Sequence, residues 1–229
     1  MSAGDDKPHH LGHRDRVRAR FLKAGAEGIA DYELLEIILF SAIPRRDVKP
    51  LAKNLIAHFG TLGKVFAAPA HELVKVKGIS DNSATLIKTV QAAAQMMLKE
   101  QMSERPVLNS WAALLDYLHL SMAYEQNEQF RVLFLNRRNE LIADEIQQTG
   151  TVDHTPVYPR EIVKRALELS ATAIILVHNH PTGDPEPSTS DIEMTKEIIR
   201  ATAPIEIVVH DHLIIGKSGT TSFKSLGLL

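Results

Sequence analysis

Two periodicities divide the chain. From Arg14 to Glu100 apolar residues recur at helical spacing, whereas beyond Val107 compact apolar runs alternate with helical stretches. In the first half, Leu34, Leu35, Ile37, Ile38 and Leu39 predict a largely buried helix, with Asp31 as its N-cap and Pro44 as its stop. A second helix is expected from Val48 to Phe59, with Leu51, Leu55 and Ile56 facing inward and Gly60 ending it. Ala70 to Lys77 predicts a short helix closed by Gly78. Asp81 to about Glu100 predicts a longer one carrying Leu86, Ile87, Val90 and Met97. Strand signals are nearly absent, so this half reads as a small all-helical domain.

The polar stretch Gln101 to Val107, which contains Pro106, breaks that period and reads as a linker. Beyond it, Trp111 to about Ala123 predicts an amphipathic helix, and Phe130 to Leu135 a compact strand. Leu141 to Gln148 predicts a second strand, with Leu141, Ala143, Glu145 and Gln147 on one face and Ile142, Asp144, Ile146 and Gln148 on the other. Pro159, favourable at a first helical position, opens a helix to Leu169. The continuous run Ala173 to Val177 is expected of a strand covered on both faces. Ser188 opens a helix to about Ala201, and Ile205–Val209 and Leu213–Ile215 read as separate closing strands. The expected class is α+β: a mobile tail over residues 1–15, a helical domain over 16–100, a linker over 101–107, and an α/β domain over 108–229.

Composition narrows the chemistry. Among 229 residues with a net charge of -2 there is no cysteine, so disulfides and thiolates are excluded and metal ligands must be His, Asp or Glu. The near-neutral balance gives no global attraction to nucleic acid or acidic membranes. No secretory signal and no run of about 18 apolar residues is visible, so a soluble cytoplasmic protein with no membrane partner is expected. His9, His10 and His13 read as part of a solvated tail rather than as a metal site.

The stretch from His178 to Asp191 carries the most information. It follows directly on the buried strand, and residues two apart in an extended chain share a face, so His178 and His180 point together. Three prolines and a glycine then make a stiff excursion ending at Ser188, a natural N-cap, with Asp191 in the first helical turn. Ser188 and Asp191 are also the two ends of a capping-box-like start, and Asp in a first turn is favourable without a metal. Taken together, His178, His180 and Asp191 supply three ligands and leave a fourth position for water, the arrangement of a catalytic zinc site. Zinc lowers the pKa of such a water toward about 7. A hydrolase of this kind also needs a carboxylate to move protons, and Glu128, Glu145, Asp153, Glu161 and Asp184 are candidates.

The string His178-x-His180-Pro181, followed by Ser188 and Asp191, resembles the JAMM motif of MPN-domain metalloproteases. Thr155–Glu161, Asp211–Gly216 and Gly12-His13-Arg14 resemble the bacterial RadC family (UPF0758 type), historically called DNA repair proteins. The resemblance spans nearly the whole chain. It implies a mixed sheet flanked by helices, of the cytidine-deaminase-like kind, and cleavage of a peptide or isopeptide bond in a peptide or protein substrate. It also selects Glu128, just before the first core strand, as the general acid/base, although Glu125 lies nearby. Ser188 is implied as an oxyanion stabiliser. Asp211 and His212, on the last strands, could each support the ligands from behind, but read rather as a strand-turn pair.

Val74-Lys75-Val76-Lys77-Gly78-Ile79-Ser80 resembles a helix-hairpin-helix, a motif that offers backbone N–H groups to phosphate, but Ser80 stands where its second glycine belongs. Lys75, Lys77 and Lys88 are the local positive charges. DNA binding through the helical domain is therefore the competing function, against a zinc hydrolase.

Overall fold

The computed structural model describes residues 12–103, 106–150 and 157–229, and the chain divides into two units, Met1–Ala93 and Ala94–Leu229. The first unit holds α1 (His13–Ala24), α2 (Asp31–Ala42), α3 (Lys49–Phe59), α4 (Leu62–Ala67), α5 (Ala70–Leu73) and the start of α6 (Asp81–Ser103). Its core joins Val17, Leu35, Leu39, Leu55, Val65, Leu73 and Ile87, all fully buried. Burial of each such aliphatic side chain contributes about 1.5–3 kcal/mol.

Several boundaries differ from the sequence pattern. Helix α1 begins at His13, inside the stretch expected to be a tail, because the ring bonds the fully buried Glu36 at 2.7 Å. His9 and His10 lie outside the described residues. Asp31 is the first helical residue rather than the cap. Ala30 holds the cap position, and its N–H is taken by the Glu33 carboxylate at 3.1 Å. Helix α6 runs through Gln101–Ser103, the first residues of the expected linker, because Gln and Met are good helix formers and the first proline comes only at Pro106. The division between units falls within α6. Beyond it, Leu98 packs into the core of the second unit and Gln95 donates to the Leu120 carbonyl at 3.2 Å.

The second unit adds α7 (Trp111–Met122), β1 (Gln129–Leu135), β2 (Leu141–Thr149), α8 (Pro159–Glu168), β3 (Ala173–Asn179), α9 (Thr189–Thr202), β4 (Val208–Ile215) and β5 (Thr220–Ser222). The strands form one sheet in the order β2-β1-β3-β4-β5. Only the β3/β4 pair is parallel, with α9 as its crossover. Leu133, Leu135, Ile175, Val177, Leu213 and Ile215 face α7. Phe130, Val132, Phe134, Ile174 and Leu176 face α8 and α9, where Ile162, Ala166 and Ile198 meet them. This two-sided burial is why β3 reads as an unbroken apolar run.

Two expectations about strands are corrected. Ile205 lies in a 3-10 turn, and Val208–Ile215 is one strand through Asp211 and His212 rather than two strands around a turn. In β2, Leu141 packs on the α7 side while Ala143 packs on the α8/α9 side, so they do not share a face. Register shifts opposite Phe134/Leu135 and Phe130/Arg131 insert extra residues and switch the faces.

Candidate metal centre

Strand β3 is buried along its whole length, and its alternation continues past Ile174 and Leu176 to put His178 on the α8/α9 side. The His178 ring is fully buried and stacks on Phe130 at 6.3 Å between centroids. His180 follows the strand end, where its N–H bonds the Ile215 carbonyl at 3.0 Å and extends the β3/β4 pairing by one residue.

The excursion after it is held from below by the turn that follows β4. Lys217 Nζ donates to the Pro181 carbonyl at 2.8 Å, and Ser218 Oγ donates to the Gly183 carbonyl at 3.0 Å. Gly183 turns at φ 99°. A Cβ on Gly216 would lie 2.4 Å from the Gly183 oxygen and 2.9 Å from Pro185 Cδ, so the loop can rest there only on a glycine. The chain returns at Ser188, the N-cap of α9, whose Oγ accepts from the Asp191 N–H at 3.2 Å.

These supports bring three donors together. Nε2 of His178 and Nε2 of His180 lie 3.0 Å apart, with Asp191 Oδ1 3.5 Å from the first and Asp191 Oδ2 3.5 Å from the second. Donors around a tetrahedral cation with bonds of about 2.0–2.1 Å sit roughly 3.3 Å from one another, so this set fits a metal of that size. The three residues form a group able to hold a metal ion. His180 donates Nδ1–H to the Asp184 carbonyl at 2.8 Å, which leaves its Nε2 for the site. Burial alone would raise the Asp191 carboxyl. Contacts with His178 and His180, and a bond from the Ser188 hydroxyl at 2.6 Å, instead hold it well below the usual carboxylate range.

Further buried polar residues surround this set. His212 is wholly buried in β4, with its ring 2.8 Å from His178 Nδ1 on one side and 2.6 Å from Thr195 Oγ1 of α9 on the other. Burial pushes its pKa well below the ordinary histidine value, and the neighbouring His178 adds to the shift. Asp211 serves structure, accepting from the Ser222 hydroxyl at 2.6 Å and the Lys224 N–H at 3.0 Å. Asn179, between the two histidines, is also fully buried. Its carboxamide accepts from the Gln129 N–H and donates to the Asn127 carbonyl.

Among the proposed acids, Glu128 lies just before β1 on that braced segment. The His180 pKa is raised chiefly by the Asp191 side chain, and the negative charge of Glu128 adds to the effect. Glu145 is instead paired with Arg165 at 2.6 Å, and Glu161 with Arg160 at 3.4 Å. Asp184 accepts from the Glu186 N–H. Asp153, and Thr155 and Pro156 of the Thr155–Glu161 stretch, lie outside the described residues. Glu125 is exposed in the segment after α7.

In the helical unit, Ser80 accepts from the Ser83 N–H at 3.4 Å and caps α6, a task glycine could not perform. Lys75 pairs with Glu72 at 2.6 Å while staying exposed, Lys77 is exposed, and Lys88 donates to the Phe66 and Ala68 carbonyls.

A mixed sheet with two histidines at the end of its central strand, and an aspartate on the next helix, defines a JAB-type domain of the metal-dependent hydrolase class. The sequence comparisons agree: residues 108–228 match the RadC-like JAB domain, and residues 9–85 match the UPF0758 N-terminal domain. The chain belongs to the RadC family. No described helix is long and apolar enough to cross a membrane.

Proposed function

We propose that this protein is a zinc-dependent peptidase or isopeptidase. The observation that carries the reading is the convergence of two histidine Nε2 atoms and one carboxylate at 3.0–3.5 Å spacing. A borderline-soft ion such as zinc suits this mixed nitrogen and oxygen set. When bound, zinc acidifies water and polarises a carbonyl. Glu128 takes the proton released from the attacking water and hands it to the departing amine. Ser188, exposed at the mouth of the site, turns its hydroxyl from Asp191 toward the developing oxyanion.

The test is zinc loading followed by assays on peptide and isopeptide-linked substrates. About one zinc per chain is expected, lost in His178→Ala and His180→Ala. Glu128→Gln keeps the metal and loses turnover. Wild-type protein that stays metal-free after zinc supplementation rejects the reading.

A second reading, DNA binding, draws support from a cavity of about 730 Å³ in the helical unit, lined by Arg14, Arg18, Arg45, Arg46 and Lys49 against Asp15 and Asp47. This unit is basic, while the rest of the chain is acidic. Under this reading, salt-sensitive DNA binding weakens more in Arg45→Ala/Lys49→Ala than in Lys75→Ala/Lys77→Ala. Binding no tighter than that of a charge-matched control rejects it.

A further inference from the structure

We propose that His212, held by Thr195, is a positioning residue that fixes the tautomer of His178 and so aims its Nε2 lone pair into the metal centre. The inference rests on the zinc reading only for its consequence, not for its geometry.

The proton directions follow from a count of donors and acceptors. The Asp191 carbonyl can only accept, so the Thr195 hydroxyl, 2.6 Å away, gives it its single proton. Thr195 Oγ1 must then accept from His212 Nδ1, also at 2.6 Å, so His212 carries its proton on Nδ1. A second proton on Nε2 would create a charge on a fully buried ring flanked by Phe130 at 5.8 Å and Phe223 at 4.5 Å. No carboxylate among the described residues hydrogen-bonds that ring. His212 Nε2 is therefore bare, and His178 Nδ1, 2.8 Å away, donates to it. In the neutral His178 ring the lone pair therefore lies on Nε2, the nitrogen that faces His180 and Asp191.

The chain of bonds starts and ends on the metal-binding residues: Asp191 carbonyl, Thr195, His212, His178. His180 reaches the same tautomer through a single backbone carbonyl. Ligand histidines in general need such a partner on the far ring nitrogen. At His178, inside the sheet, no backbone carbonyl supplies it, and a buried imidazole does.

Nitrogen-15 NMR of the full-length, metal-free wild-type protein reads the tautomer without reference to metal or turnover. His178 protonated at Nδ1 and bare at Nε2 is expected, and the opposite tautomer overturns the proposal. Thr195→Val, nearly isosteric, removes the acceptor that holds His212. It should mix the His178 tautomers and weaken zinc binding about 10–100-fold, with Thr195→Ser restoring both. His212→Gln, long enough to offer a carbonyl to His178 Nδ1, should retain more affinity than His212→Asn, which is too short. A folded Thr195→Val protein with wild-type tautomer and wild-type zinc affinity overturns the proposal. The expected tautomer in a protein that takes up no zinc supports this inference and counts against the zinc reading alone.

Discussion

The carboxamide of Asn179 accepts from the Gln129 N–H at 2.8 Å and donates to the Asn127 carbonyl at 3.2 Å. The residue between the two histidines thus holds the backbone on both sides of Glu128. The segment that presents the two rings of the candidate metal centre also sets the position of the proposed base.

Asn179→Ala should lower turnover up to about 100-fold, the scale of a misplaced reacting group, while zinc content stays at the wild-type level. Asn179→Asp keeps the acceptor for Gln129 but loses the donor to Asn127, and should fall between the two. Steady-state kinetics beside metal analysis checks this. Loss of zinc in both variants would show that Asn179 supports the ligands rather than Glu128.

Gly216→Ala places a methyl against the Gly183 oxygen and Pro185, both of backbone-restrained segments. It should cost about 1–3 kcal/mol of stability, as overpacking does, and should weaken zinc binding by displacing the loop that carries His180. Gly63→Ala is the control: it lies in α4 with open space around the added carbon, and should be neutral or slightly stabilising. Denaturant melts and zinc titrations of the two variants provide the comparison.

Asp144 is buried and binds Arg131 at 3.1 Å and the Tyr117 hydroxyl, which ties α7 to β1 and β2. Asp144→Ala leaves a buried guanidinium unpaired and should cost about 3–5 kcal/mol. The double variant Asp144→Leu/Arg131→Met removes both charges and should recover most of that loss. Urea unfolding of the two proteins tests the ordering.

Tyr117 supplies a pH dependence. Burial, then the negative charge of Asp144, raises its phenol from 10.0 to about 12. A raised pKa means that the unfolded chain ionises first as pH rises. The contribution of Tyr117 to stability is therefore fully present below pH 10.0 and is lost progressively toward about 12. Unfolding free energies measured across that window should fall more steeply for wild type than for Tyr117→Phe. Parallel slopes would contradict the raised phenol.

Much of the second unit was legible because its signals are local. The run Ala173–Val177, the proline opening α8 and the serine capping α9 each declare themselves within a few residues. Asp211 and His212 did not, since polar residues within an apolar run suggest a turn. Their partners Ser222, Lys224, His178 and Thr195 are close in space but 11 to 34 residues away along the chain. The faces of β2 were unreadable for a related reason: its bulges are defined by the pairing with β1, which no single strand encodes. In the helical unit, the short α4 and the cap function of Ser80 depend on neighbours rather than on periodicity.

Strand β4 supports His178 through a side chain, the His212 imidazole, and the residue that directly follows it, Gly216, supports the His180 loop through the lack of one. The two ring ligands are therefore not independent parts. Whatever displaces β4 moves both, and substitutions at His212 and Gly216 draw on the same loss, so their combined effect will fall short of the sum of the two. This centre has a single mechanical foundation, and its tolerance to sequence change is set by the drift that one strand can absorb.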